Sequence, residues 1–246
     1  MLLECQYPCY KKQRKPCIQT KKPPNTINLI CFDMDGVLVD AHSSWKHIHD
    51  HFNTSNEHSV DLYLQGEISD IEFIKRDICL WKKNNSFVHQ SIIENILYSL
   101  PLMKGSKELI DYLKKNKVQT AIISAGLHPL AAHVAKQLGI DLVFANGYKV
   151  DTNGYITGEG FLNVELIHKE KAIIDLATTL SIPLNTCIAV GNSCFDIPMF
   201  EICGLGIAFN PSDACVINAA DYVINSKNLK ELIPILASLI EKKNLD

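Results

Sequence analysis

The chain has 246 residues, 47% of them hydrophobic and 21% charged, with a formal net charge of -3. This composition supplies an ample core and excludes wholesale disorder, and its near balance of charge gives no basic surface to draw the chain onto nucleic acid. No apolar run approaches the roughly 20 residues of a membrane span, because the best candidate, residues 232–240, is interrupted by Pro234 and Ser238.

The length suits one domain carrying an insertion. Residues 1–26 are rich in Lys, Arg and Pro, lack helical or strand periodicity, and are expected to be a disordered basic extension. Cys5, Cys9 and Cys17 lie in it without a CxxC pair or a nearby His, so they do not make a zinc pattern. The opening MLLECQYPCYKKQRKPC has no apolar stretch of secretory length. The cysteines are therefore expected to meet a reducing cytoplasm and to form no structural disulfide.

Residues 27–32 (INLICF) form a short, nearly continuous apolar run, as a strand buried on both faces of a parallel sheet should. Asp33-Met34-Asp35-Gly36 follows at its carboxyl end, two acids on a sharp turn, with Gly36 free to take backbone angles closed to other residues. Residues 41–103 lack buried-strand patterns and show helical spacing, as at Ile71, Ile74, Ile78 and Trp81. This segment leaves the chain just after the acidic turn and is expected to be a helical cap over it. Within it, His47, His49, Asp50 and His51 fall one residue short of an HxHxDH metal-binding run.

From residue 104 onward helices are expected at 104–116, 129–138, 169–180 and 227–242, alternating with strands at 118–124, 142–145, 186–190, 205–209 and 222–224. That order predicts an α/β fold with a doubly wound parallel sheet, its core formed by residues 27–40 and 104–246. Asn153-Gly154, between alternating segments, predicts a two-residue hairpin turn and a small projecting β-ribbon over 147–161.

Four pieces fall at strand carboxyl ends or helix starts, where open α/β sheets place their ligands. The Asp33/Asp35 pair calls for a hard cation. Ser124, with the amides of Ala125 and Gly126 ahead of a helix, can cradle phosphate oxygens or simply cap that helix. Lys169 opens a helix and can neutralise phosphate charge, a role that a surface lysine would lack. Asn192 and Asp196, four apart, could both be directed at the cation by one helical turn.

The order DMDG, ISAG, a helix-initiating Lys and GNSCFDIPMF resembles the haloacid dehalogenase superfamily, and within it the phosphoserine phosphatase branch. The resemblance implies that Asp33 is a nucleophile that becomes an aspartyl phosphate, while Asp35 protonates the leaving alkoxide and then activates water. It implies Mg2+ held by Asp33, the Asp35 backbone carbonyl and Asn192, with Gly36 and Asp196 in support, and phosphate held by Ser124, the Ala125 amide and Lys169. The implied activity is hydrolysis of a small phosphorylated metabolite, with phosphoserine foremost. A phosphotransferase or mutase on the same fold and a non-catalytic binding module are the alternatives. Three positions depart from the branch. Asn192 replaces its usual Asp, Phe195 its usual Asn, and His42 a Glu that would recognise a substrate amine. Arg76 lies near the place of a cap arginine that would receive a substrate carboxylate.

Overall fold

The computed structural model describes residues 24–242; the basic extension and Cys5, Cys9 and Cys17 lie almost wholly outside them. The chain runs through β1 (Leu29–Phe32) into an inserted segment of α1 (Ser44–Phe52), α2 (Glu57–Leu64), α3 (Asp70–Cys79), β2 (Lys82–Lys83), β3 (Ser86–Phe87) and α4 (Gln90–Tyr98). It continues with α5 (Ser106–Lys115), β4 (Gln119–Leu127), α6 (His128–Leu138), β5 (Leu142–Val150), β6 (Ile156–Phe161) and α7 (Glu170–Thr179). The last part holds β7 (Cys187–Gly191), α8 (Ile197–Ile202), β8 (Leu205–Phe209), α9 (Ala214–Ala219), β9 (Tyr222–Ile224) and α10 (Ile233–Lys242).

Among the described residues seven strands make one sheet in the order β6-β5-β4-β1-β7-β8-β9. All pairs are parallel except β5 with β6. Every residue of β1 is fully buried, which follows from its central place and helices on both faces. One core gathers Leu109, Ile110 and Leu113 of α5, Leu130 and Val134 of α6 and Leu236 of α10 beneath one face. The other gathers Ile173 and Leu176 of α7, Met199 and Phe200 of α8 and Val216 of α9 beneath the opposite face. The fold is thus the doubly wound α/β arrangement expected from the alternation. No helix among the described residues is long and apolar enough to cross a membrane, and no disulfide joins the described cysteines.

Two local readings need correction. The loop after β5 is not a two-residue turn: Gly154 N donates to Asp151 O at 3.1 Å and Asp151 N to Tyr155 O at 2.8 Å, enclosing three residues. Gly154 has φ +83° while Asn153 does not take a positive φ, and a type I′ turn requires it at both positions. The ribbon itself forms, with Gly147 paired to Phe161 and Val150 to Ile156 beyond the residues of β5 that pair with β4. β6 is the edge of the main sheet, and a Cβ added to Gly160 would lie 2.3 Å from Ile74 of α3. The inserted segment does contain a hairpin, β2–β3, whose turn residues Asn84 and Asn85 have φ of +53° and +62°, the left-handed pair that type I′ demands. Finally, the helix expected over 227–242 is split. A 3-10 turn at Leu229–Leu232 precedes α10, where Pro234 sits in the first turn and removes no helical hydrogen bond.

Candidate active site

The carboxyl ends of β1, β4 and β7 are neighbours in the sheet, and each delivers part of one site. Past β1, Asp33 N donates to Val190 O at 2.9 Å, holding Asp33 in line with the strand. The chain then turns sharply, with the amides of Val37, Leu38 and Val39 all directed at Met34 O. Gly36 has φ +78°, and a Cβ there would stand 2.1 Å from Nδ2 of Asn192. Glycine therefore serves both the turn and the approach of Asn192, which comes from beyond β7.

Asp33 is only 5% exposed. Its Oδ1 accepts from Met34 N at 2.8 Å and lies 3.1 Å from Lys169 Nζ. Lys169 is 3% exposed and stands at the N-cap of α7. Its ammonium donates to Asp196 Oδ1 at 2.7 Å. Burial raises the Asp33 pKa to about 7, with Asp196 and Asp35 adding to it and Lys169 and the Met34 amide opposing. Burial disfavours the Lys169 charge, yet Asp196 and Asp33 outweigh it and hold its pKa above the ordinary lysine value.

Asp196 is engaged by its own loop and by Lys169. Its Oδ2 accepts from Asn192 N at 2.8 Å, Ser193 N at 3.0 Å and Ser193 Oγ at 3.3 Å, closing a capping box. Its other oxygen is taken by Lys169. A 3-10 turn over Cys194–Asp196, rather than an α-helical one, produces this inward fold of the loop. Asp196 orders the Asn192 loop and the lysine.

Ser124 is 1% exposed, and its Oγ accepts from Gly126 N at 3.1 Å. It does not cap α6. β4 runs on to Leu127 through a register shift, and the N-cap Leu127 has no side-chain bond to the helix. Ala125 O accepts from Trp45 Nε1 at 3.0 Å and from Asn146 Nδ2 at 3.3 Å.

Asp35 is held from the inserted segment. Ser44 N and Ser44 Oγ donate to its Oδ2 at 2.9 and 2.8 Å, while its Oδ1 is buried without a partner. Burial raises the Asp35 pKa, and the two Ser44 bonds are the largest opposing influence. Asp33, the backbone carbonyl of Asp35 and the amide of Asn192 together offer oxygen donors, which suits a small hard cation. Among the described residues no three His, Cys, Asp or Glu side chains cluster as a metal site, so this set depends on the amide oxygen of Asn192.

Two sequence candidates lie apart. His42 is exposed at the rim, close enough for its charge to act on Asp35. Arg76 is turned away: its Nε donates to Glu72 at 2.9 Å, and it lines an open hollow of about 570 Å³ with Lys75, Cys79 and Glu159, which holds none of Asp33, Asp35, Ser124 or Lys169. The histidine run is dispersed by its helix. His49 is buried 3.2 Å from Asp77, while Asp50 pairs outside with Lys46. Ser44 and Trp45 are the site residues that sequence reasoning missed. Ser43, not Ser44, caps α1 by accepting from Lys46 N, which leaves Ser44 to turn inward.

Known proteins share both sequence and fold. A phosphoserine phosphatase of Idiomarina loihiensis is 31% identical over 222 residues, spanning 87% of this chain and 96% of that protein. One of Archaeoglobus fulgidus is 29% identical over 226 residues, and the chain spans 62% of its length. A solved phospho-aspartyl intermediate analogue of phosphoserine phosphatase superposes with a TM-score of 0.71 at 24% identity, covering 85% of this chain and 99% of that one. The model of haloacid dehalogenase-like hydrolases matches residues 27–204, and the chain belongs to that family, on its phosphoserine phosphatase-like branch.

Proposed function

We propose that the protein is a magnesium-dependent phosphomonoesterase that passes through an aspartyl phosphate on Asp33, with phosphoserine as its foremost substrate. The observation that carries this reading is the Lys169 ammonium 3.1 Å from a buried Asp33 carboxylate, with Asp35, Ser124 and Asn192 converging from neighbouring strand ends. The names of the Idiomarina and Archaeoglobus relatives support the substrate class.

In the first step Asp33 bonds to phosphorus as the ester oxygen departs with a proton from Asp35. In the second, water gives a proton to Asp35 and its oxygen displaces Asp33, releasing phosphate. Lys169 faces the charge that gathers on the phosphoryl oxygens, and the buried Ser124 hydroxyl and the amides beside it offer them donors. Asp33, the Asp35 carbonyl and Asn192 would hold Mg2+, which when bound supplies further positive charge to the phosphate. Residues 27–40 and 104–246 act as the catalytic core, and residues 41–103 as a cap that confines access to small metabolites. Ser44 and Trp45, bonded to the site loops, support that role for the cap.

The test is phosphate release from phosphoserine with magnesium, by the wild type and Asp33→Asn. Release by the wild type alone, with beryllium fluoride trapped on Asp33, is expected. Trapping on another residue overturns the assignment.

A further inference from the structure

The first turn of α1 grips the acid-base carboxylate. Ser44 is completely buried, and both its amide and its hydroxyl donate to the same oxygen of Asp35, at 2.9 and 2.8 Å. The hydroxyl also accepts from Leu127 N at 3.1 Å, at the end of the β4 segment that carries Ser124. One residue on, Trp45 Nε1 donates to Ala125 O of that segment at 3.0 Å. The packing leaves no slack. A Cβ added to Gly126 would stand 2.7 Å from Asp35 Oδ2 and 2.8 Å from Ser44 Oγ. Oδ2 is thus occupied by two donors, whereas Oδ1 is buried without any.

From this geometry we infer that Ser44 is a positioning residue for Asp35, fixing the carboxyl by Oδ2 so that Oδ1 alone exchanges the proton with the leaving alkoxide and then with water. The inference rests on the hydrolase reading above. A hydroxyl hydrogen and an amide hydrogen already fill the in-plane lone pairs of Oδ2, so a third hydrogen has no place there. In the first half-reaction the Asp33–phosphorus bond forms, the phosphorus–oxygen ester bond breaks, and the proton leaves Oδ1 for the ester oxygen. In the second, water loses a proton to Oδ1 as its oxygen bonds to phosphorus and Asp33 is released. Because Ser44 belongs to the inserted segment and is tied to Leu127, the same hydroxyl joins the acid-base group, the phosphate loop and the first cap helix.

The test uses leaving groups. An alkyl phosphate needs its oxygen protonated as the bond breaks, whereas p-nitrophenyl phosphate releases a phenolate that is stable without a proton. Ser44→Ala is expected to lower kcat/KM, which reports the half-reaction that releases the alcohol and not the hydrolysis of the shared aspartyl phosphate, about 10-fold or more for an alkyl phosphate such as phosphoserine beyond any loss with p-nitrophenyl phosphate. In an Asp35→Asn background the same substitution should leave that ratio unchanged, because the group it positions is gone. Should Ser44→Ala not fold, Ser44→Gly removes the same hydroxyl without adding an atom to the packed site and is expected to shift the ratio alike. Equal losses on both esters, or a ratio that shifts as much without Asp35, would overturn the positioning role while leaving the hydrolase reading intact. A wild type that releases phosphate from neither ester overturns that reading, and this inference with it.

Discussion

Lys169 and Asp196 form a buried ion pair, 2.7 Å between Nζ and Oδ1, although 27 residues separate them. Asp196 also accepts from the amides of Asn192 and Ser193, so one carboxylate holds both Lys169 and the Asn192 loop. Its loss strands a buried ammonium against Asp33 alone. Asp196→Ala is expected to cost about 3–5 kcal/mol, the range for a buried pair that loses one partner. Chemical denaturation with an unchanged m-value would show it, and a change below about 1 kcal/mol would contradict it.

Lys171 offers the contrasting case. It is 57% exposed and pairs with Glu165 at 2.7 Å, away from the site, as the burial of Ala172, Ile173, Leu176 and Ala177 on the other face of α7 requires. Lys169→Ala should lower kcat about a hundredfold or more, and Lys171→Ala by less than about twofold, as befits an exposed pair. Steady-state kinetics of both variants decides, and the reverse order would relocate the phosphate lysine.

The raised pKa of Asp33 ties stability to pH. Burial is its main cause, so folding favours the protonated carboxyl. Such a group stabilises the native state fully below its unfolded value near 4, and that contribution is lost as pH rises through about 7. Asp33→Asn cannot ionise. Measured with a chelator present, the variant should gain on the wild type between pH 4 and 8, by no more than about 4 kcal/mol, while turnover is abolished. Thermal unfolding across that range tests it; a wild type that instead gains on the variant with rising pH would reverse the assignment.

On the proposed assignment Asn192 would present a dipole to the cation where the family resemblance implies a charge. Asn192→Asp should lower the magnesium concentration for half-maximal activity about tenfold or more, equivalent to ~1.4 kcal/mol. A magnesium titration at fixed pH and ionic strength measures this. An unchanged or higher requirement would mean that Asn192 does not ligate the ion.

Substrate selectivity should be modest. His42 cannot supply the acid that the family resemblance implies at its position for binding a substrate amine, and Arg76 is engaged with Glu72. Phosphoserine is expected to exceed amine-free phosphate esters by less than about a hundredfold in kcat/KM, roughly 2.7 kcal/mol, and Arg76→Ala should leave its KM within about twofold. Stronger discrimination would show that another residue reads the amine.

The sequence by itself determined what depends on local order. The buried run before Asp33, the alternation of strands and helices and the helical spacing of the inserted segment all follow from periodicity, because burial repeats with the geometry of each element. Chemistry-bearing turns were legible as well, since Gly36 and the capping residues act within a few positions of themselves. Tertiary structure decided the partners. Asp196 has the spacing of a group that supports Asn192, but only the folded chain shows that its oxygens go to Lys169 and two amides of its own loop. Ser44 reads as one more serine at a helix start, and only the meeting of α1 with the β1 turn and the end of β4 gives its hydroxyl to Asp35 and Leu127. Arg76 reads as a ligand by position, but it pairs with Glu72 one turn earlier on its own helix and lines a hollow that holds none of Asp33, Asp35, Ser124 or Lys169. Hydrogen bonds and ion pairs reach only about 3–4 Å, so which groups pair is fixed by how separate elements pack, and spacing along the chain does not encode that.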